Sequence, residues 1–525
     1  MPRSADSAIP PRPLRLLAGA GIATAIAALI GTLFWSIFAT AGSVTGGTSP
    51  GPLGYIIYIT TLQATLSTLL SLIVGMALAW ALNRLRFPGR DLVIGLFASA
   101  IVTPGLVVAF GLLAVWGRSG WLGNLNVPVF GLGGVVAAHV ILDAALAARV
   151  LLARLDALPE ARLKTGQSLA LSPLTRFAVI DWPAMRGSLP GLAAIIFLLA
   201  FTSFPIVLLL GGGPAVQTLE VAIYSAVRLD FDLMSAGQLA LIQIAICSLI
   251  IVASAALNPV STSLDRPATP RWRDAGAARA LQWAVLACAL LGFAAPLAAV
   301  LAGGLVGAPA MLIRPDFWSA ALTSVLVGTA SAALTLVLGV TVAASRAATS
   351  MRLARTLIGV PAYAYLAVPA VALSLGAFLF VRNLGIAPDS VAPLVVIAAN
   401  ALLSLPFAMA TLAPPLDAIA RSRGRLIRSL DLGGARQFTA IEWPLIARDA
   451  GLVLALAFCF SLGDLGVIAL FDTRDFVTLP LLMVRSLSAY RTNDAGTIAA
   501  LMLVLTIAAF VALPALFERL SRARA

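Results

Sequence analysis

Few residues in this chain are placed to do chemistry, and most of those lie inside long apolar runs. His139 is the only histidine, and Asp143 follows it by four positions. On a helix that step puts both on one face. An ionisable side chain near a membrane centre costs about 2.5–3.5 kcal/mol on insertion scales, so each one invites a functional reading. Asn400 and Ser404 repeat the four-residue step later in the chain, and Asp464 lies between Gly463 and Gly466. Thr202 and Ser203 are weaker polar candidates. Two readings stay open for this set. It ties helices together by hydrogen bonds, or it lines a route for a solute, where Asp143 would favour a cation.

Other chemistry finds no residues to carry it. No nucleophile–base pair is apparent. One histidine, with Cys247, Cys288 and Cys459 scattered through apolar runs, forms neither a metal-ligand set nor a disulfide framework. The sequence has no Gly-x4-Gly-Lys-Ser/Thr phosphate cradle. We therefore expect no enzyme activity and no cofactor in the chain itself.

The elements that must position these residues are membrane helices. Apolar residues make up 60% of the chain and charged ones 11%, against about 45–50% and about 25% in soluble domains. Only helices and closed barrels cross a bilayer, and alternating strands of about ten residues are absent, so the fold class is all-α integral membrane protein. Apolar runs predict twelve spans. Six lie near 16–40, 56–82, 92–116, 130–152, 188–210 and 236–258. Six more lie near 281–305, 318–344, 356–380, 391–413, 450–471 and 496–517. The first run exceeds the roughly 7–15 residues of a secretion signal and reads as a retained helix. The stretch 259–280, with Pro259, Pro267 and Pro270, reads as a cytoplasmic polar linker between two domains, 1–258 and 281–525.

Charge orients the spans. With both termini in the cytoplasm, only Arg118, Arg228, Arg314, Arg382, Arg474, Arg485 and Arg491 of the 35 Lys and Arg residues fall outside. That bias accounts for the net charge of +13 without a nucleic-acid partner.

The chain also repeats itself. Ile180-Asp181-Trp182-Pro183 returns 261 positions later as Ile441-Glu442-Trp443-Pro444. Ser168-Leu169 matches Ser429-Leu430, Phe177 matches Phe438, and Leu155-Asp156-Ala157 matches Leu416-Asp417-Ala418. Pro104 with Gly111 answers Pro369 with Gly376, a pattern that kinks a helix or lets helices approach closely. Two tandem six-helix halves of one orientation are expected, related by an axis along the membrane normal. Each half carries a long inside loop, 153–187 or 414–449. In the first, Leu163, Leu169, Leu171, Leu174 and Phe177 interleave with Arg162, Lys164 and Arg176. In the second, Leu426, Ile427, Leu430 and Leu432 alternate with Arg425, Arg428 and Asp431. Such amphipathic segments lie on a membrane surface or enter a partner's groove.

At these loops the sequence resembles the permease subunits of ATP-binding-cassette importers, with the type I permease fold. Their signature is Glu-Ala-Ala, three residues, Gly, nine residues, Ile, one residue, Leu-Pro. Here Lys164-Thr165-Gly166 and Ala170 precede Ile180 and Pro183, and Arg425-Leu426-Ile427 and Asp431 precede Ile441 and Pro444. The leading Glu and the Gly are lost in both copies, and Trp182 and Trp443 replace the Leu. Downstream, Leu210-Gly211-Gly212-Gly213-Pro214, Thr218-Leu219-Glu220 and Ala222-Ile223-Tyr224 look like fused thiamine-importer permeases. So do Gly463-Asp464-Leu465-Gly466, Ala469-Leu470-Phe471, Asp475-Phe476, Thr478-Leu479-Pro480 and Tyr490-Arg491.

The resemblance implies a bacterial inner-membrane transport subunit. A periplasmic binding protein would deliver thiamine or its phosphate esters. Two copies of a cytoplasmic ATPase, holding ATP and Mg, would dock on the loops at Lys164, Gly166, Ser168, Leu169, Ala170, Ile180, Trp182 and Pro183, and at Arg425, Ser429, Leu430, Asp431, Ile441, Trp443 and Pro444. Each loop would act as a lever on the span after it, with Pro183 and Pro444 setting the angle. Ferric-iron permeases share part of the pattern and remain an alternative. A secondary transporter also can have six plus six spans. Arg84-Leu85-Arg86-Phe87-Pro88-Gly89-Arg90 is where some such carriers place a basic motif, but here it has no acidic partner early in that loop and no full counterpart around Arg346 to Arg355.

Overall fold

The computed structural model describes residues 13–42, 53–255, 272, 274–473 and 476–522. Most of the expected linker (259–271 and 273), with residues 256–258 and with Arg3, Arg12, Arg474, Asp475 and Arg524, lies outside the described residues. The first half runs α1 (Pro13–Ala41), α2 (Leu53–Arg84), α3 (Arg90–Ser99), α4 (Gly105–Trp116), α5 (Leu132–Asp156), α6 (Glu160–Ser168), α7 (Pro173–Arg176), α8 (Trp182–Arg186), α9 (Leu189–Phe201), α10 (Pro205–Leu210), α11 (Leu219–Arg228) and α12 (Leu233–Ala255). The second runs α13 (Gly276–Met311), α14 (Pro315–Ala347), α15 (Arg352–Ala364), α16 (Ala370–Asn383), α17 (Pro388–Ser429), α18 (Gly434–Gln437), α19 (Trp443–Gly463), α20 (Leu479–Ser488) and α21 (Thr492–Arg522). No strand occurs among the described residues. An all-α bundle follows from the composition, because lipid offers no partner for a backbone N–H and a helix satisfies its own.

Nine of these helices are long and apolar enough to cross a membrane, or eleven if two bent pairs each count as one span. The expected count of twelve is not reached, because prolines break the helices. The expected span 92–116 is two helices, α3 and α4, with Pro104 as the residue before α4. The equivalent stretch 356–380 divides into α15 and α16, inclined at 103°, with Pro369 in the same place. Proline lacks an N–H and disfavours helix in the residue before it, so at these sites the chain breaks rather than kinks. The expected span 188–210 is likewise split, α9 ending at Phe201 and α10 starting at Pro205. The expected span 450–471 ends as α-helix at Gly463.

The leading helix of each half packs across the molecule. α1 lies against α14, α15 and α16 of the second half, and against α12. α13 lies against α2 and α4 of the first half, and against α21. Gly111 on α4 lets the α13 backbone come so close that a Cβ would stand 2.8 Å from the Pro296 carbonyl oxygen. Gly376 on α16 does the same for α1, where a Cβ would stand 3.1 Å from that of Leu33. The Pro-Gly recurrence therefore marks two things, a helix break and a close crossing by the opposite half.

Candidate functional site

The two Ile-acid-Trp-Pro loops share an unusual backbone, 261 positions apart. Each leaves a helix (α6 or the end of α17) through a residue in the left-handed region, Ala170 at φ 48° and Asp431 at φ 47°. A short helix follows, α7 or α18, then a widened π-turn, Phe177–Asp181 or Phe438–Glu442. The N–H groups of Trp182 and Trp443 bond back to the Phe177 and Phe438 carbonyls. The proline that comes next explains the wide turn. Its ring would strike the carbonyl four residues earlier and it has no N–H, and one extra residue in the turn relieves both defects.

Pro183 and Pro444 therefore do not set the angle of the lever, contrary to the expectation. At both, helix continues from the π-turn into α8 or α19. The bend lies at Gly187–Ser188 in the first copy only, where the segment from α7 to α8 meets α9 at 59°. Pro190 opens α9 there, and its ring is incompatible with a helical Arg186 carbonyl. At the equivalent positions Arg448, Asp449 and Gly451 let α19 run on unbroken. The copies differ on the entry side too. Pro159 precedes α6 and separates it from α5, whereas Ala420 stands in the matching place and α17 continues to Ser429.

The expected docking residues divide by exposure. Lys164, Ser168, Leu169, Ala170 and Trp182 are exposed in the first loop, as are Arg425, Ser429, Leu430 and Asp431 in the second. Leu174 is 83% exposed. Trp443 is half-buried between Phe438 and Phe517, with ring centroids 5.8 and 5.9 Å away. Ile180, Ile441 and Gly166 are buried beneath the loops. Nothing is described for the Arg428 side chain.

The acid of each motif is buried and holds its loop in place. Asp181 pairs with Arg84 from the end of α2 and lies 3.7 Å from Nε of Arg176. Arg176 forks onto Asp274, which precedes α13, with Nη2 to Oδ2 at 2.6 Å, and Gln282 donates to the same oxygen at 2.6 Å. The Trp272 ring stacks on the Arg176 guanidinium, 4.6 Å from its centroid. Burial pushes the Asp274 carboxyl up, but the hydrogen bonds and charge of Arg176, with Gln282 and Arg84, outweigh it and hold the group below its usual range. In the second copy Glu442 accepts from Gln437, which replaces Arg176, and from Arg15 on α1 at 2.8 Å. Ser345 replaces Arg84 and donates to the Arg15 carbonyl at 2.6 Å. These partners went unread in the sequence, where Arg84 and Arg176 looked like ordinary inside charges. An acid fixed within an apolar motif was the available signal, since a buried carboxylate needs a cation.

The basic run 84–90 is likewise structural. Arg84 is spent on Asp181, and Arg90 donates to the Leu82 carbonyl at 3.0 and 2.8 Å.

The polar residues of the bundle interior separate into two groups. Asn400 donates to Ser461 at 3.0 Å, and Ser461 reaches Ser331, tying three helices together, with Ser404 buried nearby on the same helix. His139 and Asp143 are also buried, and Oδ2 of Asp143 finds no hydrogen-bond partner. Thr202, Ser203 and Asp464 instead occupy helix breaks. Thr202 donates to the Leu198 carbonyl, and Asp464 accepts from the Val467 N–H at 3.1 Å. Ser203 and Asp464 are equivalent, 261 positions apart. Breaks from the two halves touch, since a Cβ on Gly463 would stand 2.9 Å from that of Pro104. Elsewhere Arg228 of the first half reaches Asp472 of the second at 3.1 Å, beside an open cavity of about 780 Å³ lined by Asp389, Thr473 and Arg485. No group of three metal-binding side chains occurs among the described residues.

Comparison with known proteins adds an independent line. No protein-family model matches the chain. It is 36% identical over 463 residues to the thiamine transport system permease protein ThiP of Escherichia coli, covering 84% of this chain and 85% of that one. The protein of the same name from Brucella melitensis is 35% identical over 459 residues, 85% and 84% of the two chains. That from Haemophilus influenzae is 30% identical over 512 residues, 94% and 95%.

Proposed function

Because this chain belongs to the thiamine transport system permease family, we propose that it is the membrane subunit of an ATP-driven importer of thiamine and its phosphate esters, and that its two Ile-acid-Trp-Pro loops receive two copies of a separate ATPase. The observation that carries this reading is the doubled loop. Two segments with one backbone plan, each with a buried acid beneath, hold Leu169, Leu174 and Leu430 out from the protein, free to enter a partner's groove. A pair of docking sites on one backbone plan suits a pair of identical partners.

In this reading the loops face the cytoplasm of a bacterial inner membrane, and a binding protein presents the solute at the opposite mouth. Closure of the ATPases around ATP displaces both loops. In the second half α18, the π-turn and α19 form one continuous arm, so displacement passes directly to the break at Gly463–Gly466. In the first half it passes through the 59° elbow before reaching Thr202 and Ser203. Asp464 is the one acid among these broken segments, and a carboxylate there suits the cationic thiazolium ring. The chain's own residues position and gate, while hydrolysis belongs to the partner.

Co-purification tests the docking. Ala170→Arg with Asp431→Arg is expected to leave the protein in the membrane and to abolish retention of the ATPase. Full retention and normal uptake in that double variant would overturn the assignment.

A further inference from the structure

Taking those loops as the ATPase docking sites, we infer that Arg15 on one side, and Trp272 with Asp274 on the other, are reciprocal positioning residues: the leading segment of each half fixes the docking loop of the other, so that the two loops move as one body.

Three observations converge. The first is reciprocity. Arg15, at the start of α1, donates to Glu442 and to the Gly434 carbonyl at 3.1 Å, both in the second loop. Asp274, just before α13, takes the Arg176 fork in the first loop. The second is substitution within the repeat. Arg176 and Arg84 of the first loop are matched by Gln437 and Ser345 in the second, so the second loop lacks the cations its acid needs until Arg15 arrives from the other half. The first loop has a cation in excess until Asp274 arrives, after which Arg84, Arg176, Asp181 and Asp274 form a balanced set, each side chain at most 4% exposed. Neither buried acid is balanced by means of its own half alone.

The third observation is packing. A Cβ on Gly166 would stand 2.9 Å from the Trp272 ring and 2.7 Å from Ile180. The equivalent of Gly166 is Ile427, whose side chain is buried in the second loop. The first loop is thus hollowed to receive a tryptophan from the other half. Because α1 and α13 also pack across the molecule, a rotation of either loop drags on a helix anchored in the opposite half. The two junctions are unequal. Arg15 is 19% exposed, while every charge of the first junction is sealed.

Amide hydrogen exchange on the full chain in lipid nanodiscs tests the cross-holding without any partner present. Arg15→Gln is expected to speed exchange about tenfold over 430–446 and to leave 169–186 unchanged. Asp274→Asn is expected to do the reverse. The charge swap Arg15→Glu with Glu442→Arg is expected to restore protection over 430–446, which loss of side-chain bulk alone could not do. Exchange that rises only near the substituted residue, or in its own half, overturns the inference. With ATPase and binding protein added in liposomes, Arg15→Gln is expected to keep the ATPase bound but to lower solute moved per ATP by about fivefold. An unaltered ratio also overturns it. Should the unsubstituted chain fail to retain the ATPase, the docking assignment falls, and the exchange pattern still decides whether the halves hold each other's loops.

Discussion

Ala170 and Asp431 adopt the same left-handed backbone, φ 48° and 47°, at equivalent points of the two loops. A side chain costs about 1–2 kcal/mol there, and glycine avoids that at an unfolded-state penalty of about 0.4–1 kcal/mol. The signature that the loops resemble has glycine at this position, so the geometry has outlived the residue that makes it easy. Ala170→Gly is expected to stabilise the protein by about 0.5 kcal/mol and Ala170→Val to destabilise it by more than that. Thermal unfolding in detergent checks both signs.

Gly166 and Trp272 should behave as one unit. Gly166→Ile alone forces the Trp272 ring out of its seat and is expected to cost about 1–3 kcal/mol. Combined with Trp272→Ala, which empties the seat, the same substitution should cost less than the two singles added together, by about 1 kcal/mol or more. A thermal-unfolding double-mutant cycle reads the difference, and simple additivity would show that the ring and residue 166 do not meet.

The Asp274 junction has a defined pH response. The folded carboxyl lies below its ordinary value, so its contribution is complete above the unfolded value near about pH 3.9 and is lost as pH falls through the folded one. The stability gap between the unsubstituted protein and Asp274→Asn should therefore be flat from about pH 5 to 8 and close only in stronger acid. A gap that shrinks between pH 6 and 8 would contradict the pairing. Unfolding curves at several pH values measure it.

Asp143 and Asp464 should part company. Asp464 stands in a helix break where halves meet, so Asp464→Asn is expected to cut thiamine uptake about tenfold, equivalent to about 1.4 kcal/mol of lost interaction with a cation. Asp143 lies buried on an unbroken helix with an unpartnered oxygen. Asp143→Asn removes a group that is costly to ionise there, so stability should hold or rise and uptake should not change. Initial uptake rates in membrane vesicles, normalised to protein amount, separate the two.

Much of this was legible in the sequence because membranes reward simple patterns. Apolar run length gave the helices, and the repeat gave the paired loops in register to the residue. The breaks were less legible. Pro104 and Pro369 were visible, but whether a proline kinks or breaks a helix depends on what crosses beside it, and Leu33 and Pro296 come from the opposite half. The elbow at Gly187–Ser188 was misplaced onto Pro183 because a π-turn that absorbs proline has no sequence signature of its own. Arg15 and Asp274 were invisible as partners for a topological reason. They lie 427 and 98 positions from the side chains they meet, and no local spacing encodes a crossing between halves.

The central claim is that a separate nucleotide-driven partner powers this chain through its paired loops. Liposomes holding the chain with its ATPase inside and thiamine-loaded binding protein outside should accumulate thiamine only when ATP is enclosed, and should stop when Ala170 and Asp431 are both replaced by arginine. Thiamine accumulation by the chain alone, driven by a proton or sodium gradient, would contradict the account.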